Sequence, residues 1–212
     1  MQNLRKTTLL VRFNDLTRQH EQKFVRDLGE VQLGRQRAPK YTTGRHSKPY
    51  LRVVNVLDGE LDLADVQDMD FDERDYARYR LEHGDILITE GDITSPYNVG
   101  RSAVFRGEVE NCCFQNTLIR FRVGNLLTPE FAQAALQDAL YRGVFAAVAS
   151  TTTVTHLGAQ RFGAIRLPVP PISKQESVCE ELSQIDALVV SAKYRAQVDA
   201  SLRTALLESL LR

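Results

Sequence analysis

Short runs of alternating apolar and polar residues, broken by turn residues, fill most of this chain, and one long run at its C-terminal end follows a helical spacing instead. Residues 1–27 are polar and mixed, compatible with a helix or a strand leading into a domain. Residues 28–34 (LGEVQLG) alternate and end on glycine, which predicts a short strand or turn. Residues 35–48 (RQRAPKYTTGRHSK) contain Pro39 and Gly44 and lack any period, so they form a loop. Residues 50–56 (YLRVVNV) are β-branched and predict a strand, with Asp58-Gly59 as a turn. His83-Gly84-Asp85 makes a turn into the apolar Ile86-Leu87-Ile88, a buried strand. Residues 90–100 form a loop and residues 102–105 a strand. Residues 117–123 (TLIRFRV) alternate and predict a half-buried strand. Thr128 as N-cap, Pro129 at the first helical position and Glu130 in the first turn open a helix that runs to about Arg142 and stops at Gly143. Residues 150–155 (STTTVT) are polar and β-branched, and the prolines of residues 165–171 require extended chain.

Residues 173–212 contain neither Gly nor Pro. Ser173 and Glu176 have the spacing of a capping box. Val178, Leu182, Ile185, Val189, Ala192 and Ala196 follow the 4-3-4-3-4 seam of a coiled coil, which slips and resumes at Val198, Leu202, Leu206 and Leu210. One helix of this length spans roughly 60 Å. That exceeds the diameter of the domain before it, so much of it must pack on another helix. The alternative is a break near Ala196 and a hairpin. The expected fold is α+β: a compact mixed α/β domain over residues 1–172, then a long C-terminal α-helix over residues 173–212 that packs as a coiled coil. No internal repeat is visible.

The chain has 212 residues, enough for one core domain and an appendage. Its 3 cysteines, two of them adjacent, make a poor disulfide framework and point to a reducing compartment. No signal peptide and no membrane-length apolar run is apparent, so a cytoplasmic location is expected. Net charge is +0, yet the charge is segregated. Residues 1–52 carry 12 Lys/Arg against 4 Asp/Glu, and residues 53–92 carry 3 against 13. Such a chain either presents a basic face to phosphates or interleaves the two segments and cancels them.

Catalytic signatures are missing. There is no phosphate-binding glycine loop, no nucleophile elbow, no Asn/Asp-Pro-Pro-aromatic tetrapeptide and no zinc-type His or Cys spacing. Asp72, Glu73 and Asp75 read as a solvated acidic run. Asp85 and Glu90 flank a strand without the lysine of a metal-dependent nuclease, and His83 and His156 are isolated. The residues argue for a binder.

Several motifs occur in order. Gly34-Arg35-Gln36-Arg37-x-Pro39 is followed by Tyr50-Leu51-Arg52-Val53-x-Asn55-Val56, Asp58-Gly59 and Leu61-Asp62-Leu63. Then come Leu81-x-x-Gly84-Asp85-Ile86-Leu87, Glu90-Gly91-Asp92, Gly100-Arg101, Phe114-Gln115-Asn116 with Arg120, Ser150-Thr151-Thr152 with His156-Leu157, and Leu167-Pro168-x-Pro170-Pro171 with Gln175-Glu176. Each is weak alone, but together, over residues 25–190, they resemble the target recognition domain of the DNA specificity subunit of type I restriction–modification systems. The resemblance implies a non-catalytic subunit that reads one half of a split double-stranded DNA target. It also implies a methyltransferase subunit as partner, carrying S-adenosylmethionine, and in some assemblies a restriction subunit; this chain itself would bind no cofactor and meet no membrane. A usual specificity subunit has two recognition domains and two helical spacers, whereas one of each is seen here. A homodimer through the C-terminal helices is therefore expected, with Val178, Leu182, Ile185, Val189, Ala192, Leu202, Leu206 and Leu210 at the helix contact.

Residue chemistry picks out three candidate DNA-binding stretches. The first is the acid-free loop, with Arg35, Gln36, Arg37, Lys40, Tyr41, Arg45, His46 and Lys48. The second brings Ser95, Tyr97, Asn98 and Arg101, and the third Thr151, Thr152, Thr153 and His156. Ion pairing with the acidic segment is the plain alternative for Arg101 and Arg120, and strand propensity for the threonines. Competing readings of the whole are a stand-alone DNA-binding regulator or antirestriction mimic, a nuclease with a divergent active site, and a scaffold working through its helix.

Overall fold

A computed structural model describes residues 2–92, 99–151 and 155–210. In chain order the elements are α1 (Gln2–Gln19), β1 (Gln22–Phe24), α2 (Val25–Leu28), β2 (Gly29–Leu33), β3 (Ser47–Leu51), β4 (Gln67–Asp70), α3 (Glu73–Tyr79), β5 (Ile86–Thr89), β6 (Gly91–Asp92) and β7 (Ser102–Val104). They continue as β8 (Cys113–Phe114), β9 (Leu118–Val123), α4 (Pro129–Tyr141), α5 (Val144–Val148), β10 (Ser150–Thr151), β11 (Thr155–His156), α6 (Ala159–Gly163), β12 (Arg166–Pro168) and α7 (Ile172–Leu210).

An antiparallel sheet in the order β2-β9-β5-β7 organises the molecule. Because side chains alternate along a strand, β5 sends Ile86 and Ile88 to one face and Leu87 to the other, and all are fully buried. The first face packs with Ile119, Phe121 and Val104 against Leu9 and Phe13 of α1, Phe131 of α4, and Val178 and Leu182 of α7. The second face packs with Ala103 and Leu118 against Leu51, Phe105 and Phe114. A smaller sheet, β4-β3-β8, carries a third cluster of Tyr50, Met69, Phe71 and Cys113.

Several sequence expectations change here. Residues 2–19 are a helix, because Leu9, Phe13 and Leu16 at i, i+4 and i+7 form one buried stripe. The strand expected over residues 50–56 ends at Leu51. Asn55 turns the chain by accepting from Arg52 N (3.0 Å) and donating to the carbonyls of Asp62 (2.9 Å) and Asp65 (3.0 Å). β9 is covered on both faces over Leu118–Phe121 rather than half-buried, so Arg120 is interior. Its guanidinium donates to the Arg80 carbonyl (2.9 Å) and pairs with Glu30 (2.5 Å). The acidic run is the start of a helix: Asp72 caps α3 through Asp75 N (2.8 Å).

The Thr128 cap and Pro129 start of α4 occur as expected, with the Thr128 hydroxyl accepting from Phe131 N at 3.2 Å. α7 starts at Ile172, where the Pro171 carbonyl accepts from Lys174 N and Gln175 N (2.9 and 3.1 Å). Ser173 therefore lies inside the first turn rather than at its cap. α7 is one helix of 39 residues and passes Ala196 unbroken, which removes the hairpin. Val178 and Leu182 are spent on the chain's own core, while Ile185, Val189 and Ala192 are half-buried. α1 lies antiparallel to α7, since Arg12 pairs with Glu181 (2.8 Å) and Arg5 with Asp186 (2.7 Å). Leu202, Leu206 and Leu210 fall on α7, but their side chains lie outside the described ones.

Candidate nucleic-acid interface

The registers bring the start of the basic loop, Arg101 and the strand of His156 to one end of the central sheet. Leu33 of β2 pairs with Ile119, and Thr89 of β5 with Leu118, so both strands end beside the start of β9. The basic loop leaves from β2 at this end, and β6 continues from β5 into a three-stranded sheet with β11 and β10. Arg101, just before β7, lies there too: its carbonyl accepts from Thr89 N at 2.8 Å.

The loop is rooted by close backbone contact. Arg35 N donates to the Phe114 carbonyl (3.1 Å), and Asn116 N to the Arg35 carbonyl (3.0 Å). A Cβ on Gly34 would collide with the Gln115 carbonyl, so glycine is demanded there. Arg35 does not face solvent. Its side chain is 8% exposed, pairs with Asp75 at 2.6 Å and donates to the Asp70 carbonyl. Its guanidinium lies 3.7 Å from the Tyr41 ring centre and 5.1 Å from that of Phe71. Lys40 first, and Arg35 second, hold the half-buried Tyr41 phenol below its usual pKa. Arg35 is thus a fastener under the loop, which removes it from the DNA-contacting set expected from sequence.

Asp70 shapes the tip of the loop. One carboxylate oxygen accepts from Thr43 N (2.6 Å), the Thr43 hydroxyl (2.6 Å) and Gly44 N (3.1 Å). The other accepts from His46 N at 2.9 Å. The Thr43 hydroxyl, then the backbone donors, hold the Asp70 carboxyl down at about 2. No local pattern marks Asp70 in the sequence, because its partners lie 24–27 residues away.

With the frame held from beneath, Gln36, Arg37, Lys40, Arg45 and His46 are exposed, and Lys48 is half-buried 5.1 Å from the Tyr76 ring centre. Arg37, Lys40 and Arg45 have no ion pair among the described residues. An open cavity of about 450 Å³ is lined by Arg45, His46 and Lys48 together with Phe71, Tyr76 and Glu73. The segregated charge is cancelled in part: acidic residues tie down Arg35, Arg52 and Arg122, while Arg37, Lys40 and Arg45 meet no acidic side chain among the described residues.

In the neighbouring sheet, His156 pairs in register with Gly91 and its Nδ1 lies 2.8 Å from Glu90. Thr151 is in β10, its side chain outside the described ones. Ser95, Tyr97, Asn98, Thr152 and Thr153 lie outside the described residues. Burial pushes the thiols of Cys112 and Cys113 up to about 12, so neither is a nucleophile. No group of metal-ligating side chains converges, and no helix is long and apolar enough to cross a membrane, among the described residues.

No family model matches the chain. A protein of Methanocaldococcus jannaschii, described as the type I restriction enzyme MjaX specificity subunit, is 24% identical over 153 residues, covering 71% of this chain and 36% of that one. Among solved structures, a chain from a study of complex assembly and conformational transition of the type I R-M system superposes with a TM-score of 0.65 at 16% identity, covering 93% of this chain and 48% of that one. The HsdS subunit from Thermoanaerobacter tengcongensis gives a TM-score of 0.59 at 16% identity, with 91% and 46% covered. The type I S subunit from M. genitalium gives 0.51 at 15%, with 79% and 39% covered. The chain spans about half, or less, of each of these proteins. In sequence over 153 residues and in fold, the chain is similar to specificity subunits of type I restriction–modification systems, and it spans half or less of their length.

Proposed function

We propose that the chain is a non-catalytic DNA-reading unit that binds one half of a split double-stranded target and positions a methyltransferase subunit on it. The observation that carries this reading is the clamped loop. Arg37, Lys40, Arg45 and His46 stand exposed on the loop that leads from β2 to β3, with no ion pair among the described residues and on a frame held by Arg35 and Asp70. Cations of this kind neutralise phosphates, and a rigid frame gives side chains a repeatable position against base edges. His156 and the β6-β11-β10 sheet add a second candidate surface at the end of the central sheet where that loop starts. S-adenosylmethionine would be held by the methyltransferase, and any restriction subunit would join through that assembly. Residues 1–172 would form the reading unit and residues 173–212 the spacer that joins it to a second one.

The test is reconstitution. The full chain is combined with the methyltransferase subunit of its host system and S-adenosylmethionine, and methylated adenines are mapped on genomic DNA. The expected result is methylation at one bipartite target that depends on the chain, with binding that weakens steeply as salt rises. Methylation independent of the chain, together with no duplex binding by the pair, overturns the reading.

A further inference from the structure

Asp70, 7% exposed, places an anion directly beneath the exposed cations of the basic loop, where a carboxylate would ordinarily repel phosphate. Its two oxygens are instead turned inward on the loop: they accept from Thr43 N, the Thr43 hydroxyl, Gly44 N and His46 N at 2.6–3.1 Å. Further contacts close the same turn. Ser47 pairs in register with Asp70, and Phe71 N donates to the His46 carbonyl at 2.8 Å. Arg35 holds the Asp70 carbonyl from below. Gly44 sits at φ +79°, with nothing within 4 Å of a Cβ built on it. The turn therefore needs a left-handed residue for its backbone shape and not for space. The residues before and after Arg45 are both tied by their N–H groups, while the side chains of Arg45 and His46 project outward, exposed. An exposed, polar turn without such ties would sample many shapes, and binding would have to order it.

We infer that Asp70 is a positioning residue for recognition: its carboxylate, with the left-handed Gly44, presets the 43–46 turn so that Arg45 and His46 meet DNA in one geometry. The inference rests on the DNA-reading function proposed above. It makes a prediction opposite in sign to simple electrostatics. Removing a negative charge beside DNA should tighten binding, whereas loss of the preset turn should weaken it.

The experiment measures binding of the chain–methyltransferase complex to its mapped target duplex and to an unrelated duplex, across salt concentrations. Asp70→Asn should lose about tenfold in affinity for the target, and less for the unrelated duplex. Its salt dependence should keep the same slope, because no cation is removed. Gly44→Ala strains the turn without a steric clash, so it should weaken target binding while lowering the thermal midpoint by only about 2–4 °C. Gly44→Asn, which tolerates the left-handed region, should bind within about twofold of the parent. In Asp70→Asn the amides of Thr43, Gly44 and His46 should exchange faster with solvent. Target binding by Asp70→Asn and Gly44→Ala equal to or tighter than the parent overturns the inference and leaves the DNA-reading function standing. A parent complex that prefers no duplex overturns that function, and this inference with it.

Discussion

The side chain of Arg35 lies between Asp75, at 2.6 Å, and the ring of Tyr41, while Arg37, two residues on, is exposed. Replacing Arg35 with alanine leaves Asp75 and the Asp70 carbonyl without their donor, and should cost about 3 kcal/mol of stability, read by chemical denaturation. Replacing Arg37 should leave stability unchanged and lower the salt slope of DNA binding by about one. The reverse pattern would exchange the two roles. Sequence could not separate them: both are arginines in an acid-free loop, and what buries Arg35 is a helix beginning at residue 73, far along the chain. Asp70 yields a prediction in pH. Its folded carboxyl titrates at about 2 and an unfolded aspartate near 3.9. The folded value is the lower one, so its contribution is present above about pH 4 and fades as pH falls toward about 2. Denaturation midpoints of the parent should drop through this window more steeply than those of Asp70→Asn. Parallel acid limbs would show that the carboxylate does not clamp the turn.

At the level of elements, Gln175 joins three parts of the fold. Its amide donates to the carbonyls of Leu126 and Pro170 (both 2.8 Å) and accepts from Thr128 N (2.9 Å), fully buried. It therefore ties the start of α7 to the start of α4. Truncation to alanine strands three backbone groups, and should lower stability by about 2–3 kcal/mol in chemical denaturation. A change within about 0.5 kcal/mol would mean that the junction relaxes or admits water freely. Elements whose signals are local were legible: the Thr128-Pro129 cap, the Gly143 stop, the apolar run of β5 and the unbroken α7. α1 could not be told from a strand in the sequence, although Leu9, Phe13 and Leu16 carry the helical spacing. Leu10 and Val11 blur the stripe, and its partners in α4 and α7 lie more than 100 residues away. The same holds for β3, shortened by Asn55 through bonds to residues 62 and 65. Motif order carried the resemblance to specificity subunits further than any single spacing did, because Gly34, Asn55 and Gln175 each serve a specific backbone contact.

On the scale of the whole molecule, the question is what covers the far end of α7. Arg5, near the start of α1, stands opposite Asp186, so the last 24 residues of α7, 187–210, about 36 Å, extend past that pairing. The stretch carries Leu188 at 66% and Tyr194 at 70% exposed, with Val190 beside them. The part of the seam nearest the domain, Val178 and Leu182, is already buried. A partner helix would therefore engage α7 from Ile185 outward. If that partner is a second copy, a two-fold axis through the helices would set two reading units at opposite ends and select a palindromic split target. The full chain should then sediment as a dimer at micromolar concentration. The double substitution Leu188→Glu and Tyr194→Glu should convert it to a monomer without lowering the thermal midpoint of the domain, since neither side chain belongs to the core. The same variant should lose affinity for the two-half-site duplex and keep affinity for a single half-site, because each reading unit is intact. A parent chain that sediments as a monomer, both alone and with the methyltransferase subunit, would assign the exposed stretch of α7 to a different protein.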